Sequence, residues 1–282
     1  MRKGSDKEYE KIAVLSDIHG FYMDKDAVSC VLQVLSEHPF DAVFINGDLL
    51  DLPWLMSAGK HKFNVDEDHV SVDEEIDYTV QNFLQPLRKA IGKKMPIIFK
   101  PGNHESRLLK IDANNPVGLR EIVMAGMKRD RMKLESMLRF KELGIVMDRG
   151  EKVRDMYNDT TFLQKHKKGD RGCLIHGYLT GANCLKKYLL TYLCSGTSGH
   201  THSMRRETLS WYGGEYVWQE SGCLCRKSNV EFLPIGKHAT WTHGMVTIWV
   251  NRYDGELFIK GHEMKHNSLE YKGQIYSPTS YD

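Results

Sequence analysis

Five short polar motifs contain the residue types that most often bind metal ions in proteins. They are Asp17-Ile18-His19, Gly47-Asp48-Leu49-Leu50-Asp51, Gly102-Asn103-His104-Glu105, His176-Gly177 and Gly199-His200-Thr201-His202. Their carboxylates and imidazoles form a mixed oxygen and nitrogen ligand set that suits manganese, iron or zinc. No cysteine lies in the motifs, which argues against a structural zinc site built from thiolates.

The number of candidate ligands indicates two ions rather than one. The candidates are Asp17, His19, Asp48, Asn103, His176, His200 and His202. This set is too large for a single ion, but it suits two ions that share a bridging carboxylate. Two ions about 3.5–4 Å apart clamp the attacking and leaving oxygens of an in-line displacement and make hydroxide available near neutral pH. The motifs therefore predict a two-metal hydrolytic centre.

Apolar runs typical of buried strands precede four of the motifs, at 11–16, 41–46, 95–100 and 172–175. Helical patterns at 24–38, through 80–87 and at 182–193 alternate with them, which predicts βαβ units and parallel strands. An acidic stretch around 66–75 is interpreted as irregular. Because sites assemble at the carboxyl ends of such strands, we expect the motifs to meet at one edge. In His200-Thr201-His202 the alternation places both imidazoles on one side of an extended segment.

The pattern changes after His202. Short β-rich segments at 208–212, 216–219, 246–250 and 257–259 are separated by Gly and Asn/Asp turns. They predict more antiparallel strands that close a second sheet onto the first. No internal repeat or low-complexity linker interrupts the chain. We therefore predict one domain over 1–282, with helical or irregular insertions around 52–79 and 107–170.

Composition narrows the class of protein. The 282 residues are 41% hydrophobic and 27% charged, with a formal charge of +2, so disorder is not expected. This net charge gives no argument for nucleic acid or membrane binding by itself. No apolar run of about 18 residues predicts a membrane helix, and the polar N-terminus lacks a secretory pattern. Six scattered cysteines favour a reducing, cytoplasmic setting.

The order D-x-H, G-D-x-x-D, G-N-H-E, H, G-H-x-H resembles that of the calcineurin-like metallophosphoesterase superfamily over Asp17 to His202. The resemblance implies an α/β fold, a four-layer αββα sandwich of two mixed β-sheets flanked by helices. It assigns one residue, Asp48, to bridge the two ions. It assigns Asp17, His19 and His202 to the first metal, and Asn103, His176 and His200 to the second.

The resemblance also implies roles in catalysis. His104 matches the family histidine that contacts the substrate phosphate and protonates the leaving oxygen, and Asp51 would orient it. Arg107, three residues later, could reach a phosphate oxygen bidentately. The protein Ser/Thr phosphatases carry Arg-Gly after the second Asp of the G-D motif, where this chain has Leu52-Pro53. Purple acid phosphatases have a tyrosine where Asp51 stands. The chain is more similar to small phosphoesterases of bacteria and phages.

These features together predict a metal-dependent phosphodiesterase that acts on DNA or RNA. Basic residues around 128–141 and at 165–168 could track a phosphate backbone, although a solvated helix face has the same pattern. The alternatives are a phosphomonoesterase for nucleotides, metabolites or phosphoproteins, and a metal-binding scaffold without catalysis, against which His104 argues. The expected cofactors are two divalent ions, manganese first, with iron, zinc, nickel or cobalt also suitable. The expected partner is a phosphate ester, with no membrane association, and the oligomeric state is left open.

Four residues outside the motifs have two interpretations each. His243 precedes a predicted strand and could belong to the site or be a solvated histidine. Trp54 could stack on a leaving group or pack into the core, and packing is favoured. Cys223 and Cys225, one residue apart, fit strand packing better than metal binding because no second pair accompanies them.

Overall fold

The computed structural model describes residues 8–52, 72–109, 133–150, 160–163, 172–212, 214–227 and 240–279, without the side chains of 107–109. The strands are β1 Tyr9–Leu15, β2 Ala42–Asn46, β3 Ile97–Lys100, β4 Ile145–Met147, β5 Thr161–Phe162, β6 Cys173–Ile175, β7 Gly196–Ser198, β8 Arg206–Trp211, β9 Gly214–Glu220, β10 Gly244–Asn251, β11 Leu257–Lys265, β12 Ser268–Tyr271 and β13 Gln274–Tyr276. The helices are α1 Lys25–Glu37, α2 Val72–Thr79, α3 Gln85–Ile91, α4 Asn103–Leu109, α5 Leu134–Met137, α6 Phe140–Leu143 and α7 Cys184–Tyr192, with a π-helical turn at Val80–Leu84 and a 3₁₀ turn at Gly20–Tyr22.

The larger sheet has eight strands in the order β13-β12-β11-β10-β1-β2-β3-β4. Strands β1 to β4 run parallel, with Val14 beside Phe44 and Phe44 beside Ile98. Strand β10 joins β1 from the other side in antiparallel register, where Val14 lies beside Val246. Every residue of β2 is buried, as expected for a central strand covered on both faces.

The smaller sheet has five strands in the order β5-β6-β7-β9-β8. Strands β6, β7 and β9 are parallel, while β5 and β8 pair at the two edges in antiparallel register. Strands β1, β2 and β3 of the larger sheet and β6 and β7 of the smaller sheet end at the motifs. Because β6 ends at Ile175 and β7 at Ser198, His176 and His200 leave this sheet directly at its carboxyl edge.

Alternate residues of β1 face two different layers, as the period of two in a strand requires. Ala13 and Leu15 pack into the core between the larger sheet and α1 to α3, whereas Ile12 and Val14 pack between the two sheets with Leu174. A third cluster packs α7 against the far face of the smaller sheet around Trp218. The order is helix, sheet, sheet, helix, which confirms the predicted αββα layering.

The strands predicted before His202 and the helices predicted at 24–38 and 182–193 are present, with ends that move by at most two residues. The helical pattern through 80–87 lies within the helical stretch at 72–91. Helix α1 begins after Asp24, whose carboxylate accepts the Ala27 N–H at 2.9 Å and caps the helix. The acidic stretch differs from the prediction, because Asp73, Glu74 and Glu75 lie in α2. Residues 53–71 and 110–132, which include Trp54 and part of both predicted insertions, lie outside the described residues.

Two expectations about the second half of the chain are wrong. The strands after His202 do not all close a second sheet, because β10 to β13 extend the larger sheet and only β8 and β9 join the smaller one. The predicted insertion at 107–170 also contributes a strand to each sheet, β4 to the larger and β5 to the smaller. These strands have three and two residues, too few to show a period in sequence.

Candidate metal centre

The five motifs meet where strands of both sheets end. Backbone hydrogen bonds join the first two: the Asp17 N–H donates to Gly47 O at 3.1 Å, and the His19 N–H donates to Asp48 O at 3.0 Å. The smaller sheet attaches through the His200 N–H, which donates to Asp17 Oδ2 at 3.0 Å. All seven predicted ligands are therefore brought together. Arg107 lies on α4 close by in sequence, but its side chain is not among those described.

The first cluster consists of Asp17, His19 and His202, and each is almost fully buried. His19 Nε2 lies 3.0 Å from His202 Nε2, and His202 Nε2 lies 3.2 Å from Asp17 Oδ1. The distance from His19 Nε2 to Asp17 Oδ1 is 3.9 Å. Two imidazole nitrogens and a carboxylate oxygen thus converge on one point, which is the ligand set expected at the first metal.

A second cluster lies beside the first. His176 Nε2 is 3.0 Å from Asn103 Oδ1, and His200 Nδ1 is 2.8 Å from the same oxygen. Asp48 connects the two clusters, because its Oδ2 lies 3.1 Å from His176 Nε2 and 4.0 Å from His19 Nε2. The carboxylate of Asp48 therefore stands where a bridging ligand would be.

The outer nitrogens of three imidazoles are already occupied by protein groups. His19 Nδ1 lies 2.8 Å from Asp51 Oδ1, and His176 Nδ1 lies 2.8 Å from the backbone oxygen of Asn46. His202 Nδ1 lies 3.7 Å from the sulfur of Cys225. The carboxylate of Asp51 and the carbonyl of Asn46 can only accept, so Nδ1 of His19 and of His176 carries a proton and Nε2 of each ring faces inward. This arrangement is typical of metal-binding histidines, whose outer N–H is held by a second group.

The electrostatics of the cluster also fit a cation. Burial opposes ionisation of Asp48, but the imidazoles of His104 and His176 lower the pKa of its carboxyl well below the usual value. Burial would lower the pKa of His176, but Asp48 and Asp17 raise it to about 10. The carboxylates are thus ionised and attract positive charge, and a divalent ion bound at His176 would displace a proton. The residues present fit a pair of divalent ions.

Five of the predicted ligands have a left-handed backbone. Asp17, His19, Asp48, His200 and His202 have φ values of 57°, 55°, 49°, 70° and 58°. Non-glycine residues seldom adopt this conformation, and where it persists it clusters at functional sites. The expectation of an extended His200-Thr201-His202 segment is therefore wrong, and the two imidazoles serve different clusters.

His104 stands at the rim of the centre and is held by Asp51. Its Nδ1 lies 2.6 Å from the backbone oxygen of Asp51 and 3.3 Å from Asp51 Oδ1. Its Nε2 lies 3.7 Å from Asp48 Oδ2, and its backbone N–H donates to Asp48 Oδ1 at 2.9 Å. Asp51 thereby orients both His104 and His19. The pairing of His104 with Asp51 expected from the sequence is present in the structure.

Close packing in the centre explains one motif glycine. A Cβ atom at Gly102 would lie 2.2 Å from Asp48 Oδ1 and 2.4 Å from the Asp48 backbone nitrogen. Any larger residue would displace the carboxylate between the clusters. Only glycine allows the third motif to approach the second this closely.

Three buried residues that position the ligand loops were not predicted from the sequence. Glu105 accepts the backbone N–H groups of Asp48, Leu50 and Gly102 at 3.1, 2.8 and 2.7 Å; its place in the G-N-H-E motif was the available signal. Glu75 reaches the same loop from α2. Cys225 was expected only to pack in a strand, but its sulfur contacts His202, and no spacing in the sequence indicates that contact.

The contact between Cys225 and His202 can be tested by substitution. We expect Cys225→Ala to weaken binding of one of the two ions about 10–100-fold, as loss of a group that orients a ligand usually does. The second ion should bind as in the wild type, because its imidazoles are held by other groups. Calorimetric titration with Mn²⁺ measures both affinities. Cys194→Ala, which removes a buried cysteine in the smaller sheet's core, is the control; equal losses in both variants would refute the contact's role.

The remaining sequence candidates are placed away from the ligand clusters or outside the described residues. His243 is buried and its Nε2 lies 2.7 Å from the backbone oxygen of Cys225, so it supports the loop beneath His202. Of the basic residues at 128–141, the exposed Arg139 forms an ion pair with Asp77 at 3.2 Å. Residues 165–168 lie outside the described residues. None of the described helices is long and apolar enough to cross a membrane.

Comparison with known proteins finds a family match and similar solved structures. The family described as calcineurin-like phosphoesterase matches residues 10–265. Among solved structures, Vps29 from Cryptosporidium parvum is similar at 11% identity and a TM-score of 0.46, with 96% of this chain and 100% of that chain covered. Zinc-bound Vps29 from Entamoeba histolytica is similar at 11% identity and a TM-score of 0.44, with 92% and 96% covered.

No curated protein matches the chain significantly. The family match nevertheless spans most of the sequence and includes all five motifs. The chain therefore belongs to the calcineurin-like phosphoesterase family.

Proposed function

We propose that this chain is a two-metal-dependent hydrolase of phosphate esters. One observation supports this most strongly: the ligand clusters share Asp48, and His104 stands against that same carboxylate, at 3.7 Å. A site that only stored or displayed metal would not need an oriented imidazole beside the shared ligand. Two divalent ions held there would supply a nucleophile at neutral pH and neutralise charge on the phosphoryl oxygens.

The protein's own groups would position the ester and transfer a proton. The hydrogen bond to Asp51 O fixes a proton on Nδ1 of His104, so the other nitrogen, Nε2, faces the centre. When the ring is an imidazolium that carries a second proton on Nε2, it can donate that proton to the departing oxygen, as a general acid does, and keep the proton on Nδ1. Asp51 holds the ring at that position. In the second cluster, Asn103 Oδ1 lies 2.8 Å from His200 Nδ1, so both atoms are placed to bind the same ion.

We also propose a phosphodiester substrate, with DNA or RNA as the class and manganese as the ion. Support comes from the sequence, where Leu52 follows Asp51 in place of the arginine of protein phosphatases, and from the basic residues at 128–141 and 165–168. A cytoplasmic setting is supported by six buried cysteines that are all unpaired. A phosphomonoester is the competing substrate class for the same centre.

The proposal is tested by restoring metal to chelator-stripped protein. With Mn²⁺ we expect hydrolysis of bis-p-nitrophenyl phosphate to exceed that of p-nitrophenyl phosphate, and labelled DNA or RNA to be cut. The same protein without metal is the control and should be inactive. Preference for the monoester would retain the two-metal centre but reject the nuclease. No turnover with manganese, iron, zinc, nickel or cobalt would reject catalysis and leave a metal-binding scaffold.

A further inference from the structure

We propose that Glu75 is a positioning residue of this centre, which acts through the backbone of Asp51 and Leu52. Glu75 lies on α2, outside all five motifs, and its side chain faces inward with 2% of the residue exposed. A carboxylate is costly to bury unless hydrogen bonds compensate it. The groups that compensate it here belong to the loop that carries Asp51.

The carboxylate of Glu75 accepts two successive backbone N–H groups. The Asp51 N–H donates to Glu75 Oε1 at 2.5 Å, and the Leu52 N–H donates to Glu75 Oε2 at 3.2 Å. Leu52 has φ 49°, a left-handed conformation that a leucine adopts only when its surroundings enforce it. Successive N–H groups in such a turn form a concave site for an anion, and Glu75 fills it.

The loop held by Glu75 controls two imidazoles. Asp51 contacts His19 through Oδ1 at 2.8 Å and His104 through its backbone oxygen at 2.6 Å. A shift of residues 51 and 52 would therefore move the acceptors of a metal ligand and of the proposed proton donor together. Glu75 holds both residues through their backbone N–H groups.

Two further observations support the positioning role of Glu75. Glu105 holds the first part of the loop through the N–H groups of Asp48 and Leu50, so two buried carboxylates hold residues 48–52 from both ends. At Gly20, next to His19, a Cβ atom would lie 2.3 Å from Glu75 Oε1, and φ is 48°. The Glu75 carboxylate thus occupies the space that a side chain at residue 20 would need.

The test compares Glu75→Gln with Glu74→Gln, the same substitution at the exposed neighbour on α2. Glutamine keeps the shape and one acceptor but places an NH₂ group against a backbone N–H, which should turn the 51–52 peptide. Glutamine has nearly the same volume as glutamate, so α2 should still fold, and thermal denaturation checks this.

Two readouts separate positioning from stability. In the metal-free protein, two-bond ¹H–¹⁵N spectra show which imidazole nitrogen carries the proton, with His104→Ala used for assignment. We expect the Nδ1-protonated forms of His19 and His104 in the wild type and in Glu74→Gln, and a mixture of forms in Glu75→Gln. With metal, we expect kcat to fall about 10–100-fold in Glu75→Gln, with two ions bound and KM changed less than about twofold.

The kinetic readout rests on the proposed function, but the spectroscopic one does not. Changed spectra without any wild-type turnover would support the role of Glu75 and reject only the hydrolase. Wild-type spectra in Glu75→Gln would overturn the inference, whatever the rates. Loss of folding in Glu75→Gln would overturn it as well, because the carboxylate would then belong to the stability of α2.

Discussion

Replacement of His104 by alanine is expected to lower kcat about 10²–10⁴-fold, the usual contribution of general acid–base catalysis, while both ions remain bound. The imidazole touches the shared ligand Asp48 only across 3.7 Å and is not needed to complete either cluster. The loss should increase with the pKa of the leaving group, because an alkoxide needs a proton more than p-nitrophenolate does. Rates with aryl and alkyl diesters, together with metal content, measure this.

A histidine on the surface provides the control for this substitution. His266 is exposed in the turn between β11 and β12 with φ 50°, and asparagine tolerates that conformation. We expect His266→Asn to keep full activity and added imidazole to restore part of the activity of His104→Ala. An equal loss for all leaving groups would remove His104 as the proton donor and leave it a binding role.

Replacement of Asp48 by asparagine is expected to weaken both metal sites. The carboxylate stands 3.1 Å from His176 Nε2 and 4.0 Å from His19 Nε2, so its Oδ2 faces an imidazole nitrogen of each cluster. Asparagine retains an oxygen that can accept the His104 N–H, so the fold should persist while the bridging charge is lost. We expect each affinity to fall more than about 100-fold, beyond the usual cost of losing a group that only orients a ligand.

The matched comparison is Asp17→Asn, which removes a carboxylate from the first cluster alone. There we expect one ion to be lost and the second to remain, as measured by metal analysis after dialysis. Two ions at full occupancy in Asp48→Asn would contradict the bridging role. Loss of only one ion in that variant would move Asp48 to a single site.

Much of this centre could be predicted because its ligands are local to strand ends. Asp17 and Asp48 each come directly after or close to the end of an apolar run, which predicts that their side chains lie at the end of a buried strand. The resemblance of the motif order to the family implied which ligands bind the same ion. The parallel strands followed from the same runs, whereas the αββα layering was implied by the resemblance of the motifs to the family. The left-handed backbone of His200 and His202 was not predictable, because the sequence shows only their spacing and the turn is imposed by hydrogen bonds to other loops.

Contacts between residues that are far apart in the sequence could not be predicted either. Strand β10 pairs with β1 across more than 200 residues of sequence, and no local pattern specifies that neighbour. Glu75 lies among acidic residues typical of a solvated surface. Its burial depends on its contact with residues 51 and 52, which the sequence does not show. Cys225 reaches His202 for the same reason. Sequence periodicity reports which face of an element is buried, but not what covers it.

The origin of the ligands in both sheets has a consequence for the thermodynamics of the whole molecule. Asp17 and His19 follow a strand of the larger sheet, whereas His176 and His200 follow strands of the smaller one. Ions bound between them would cross-link the two layers, and only the folded chain assembles that ligand set. By mass action, free metal at 100 times its dissociation constant would add about 2.7 kcal/mol to the unfolding free energy for each independent site. A chelator would then lower the unfolding free energy by removing that contribution.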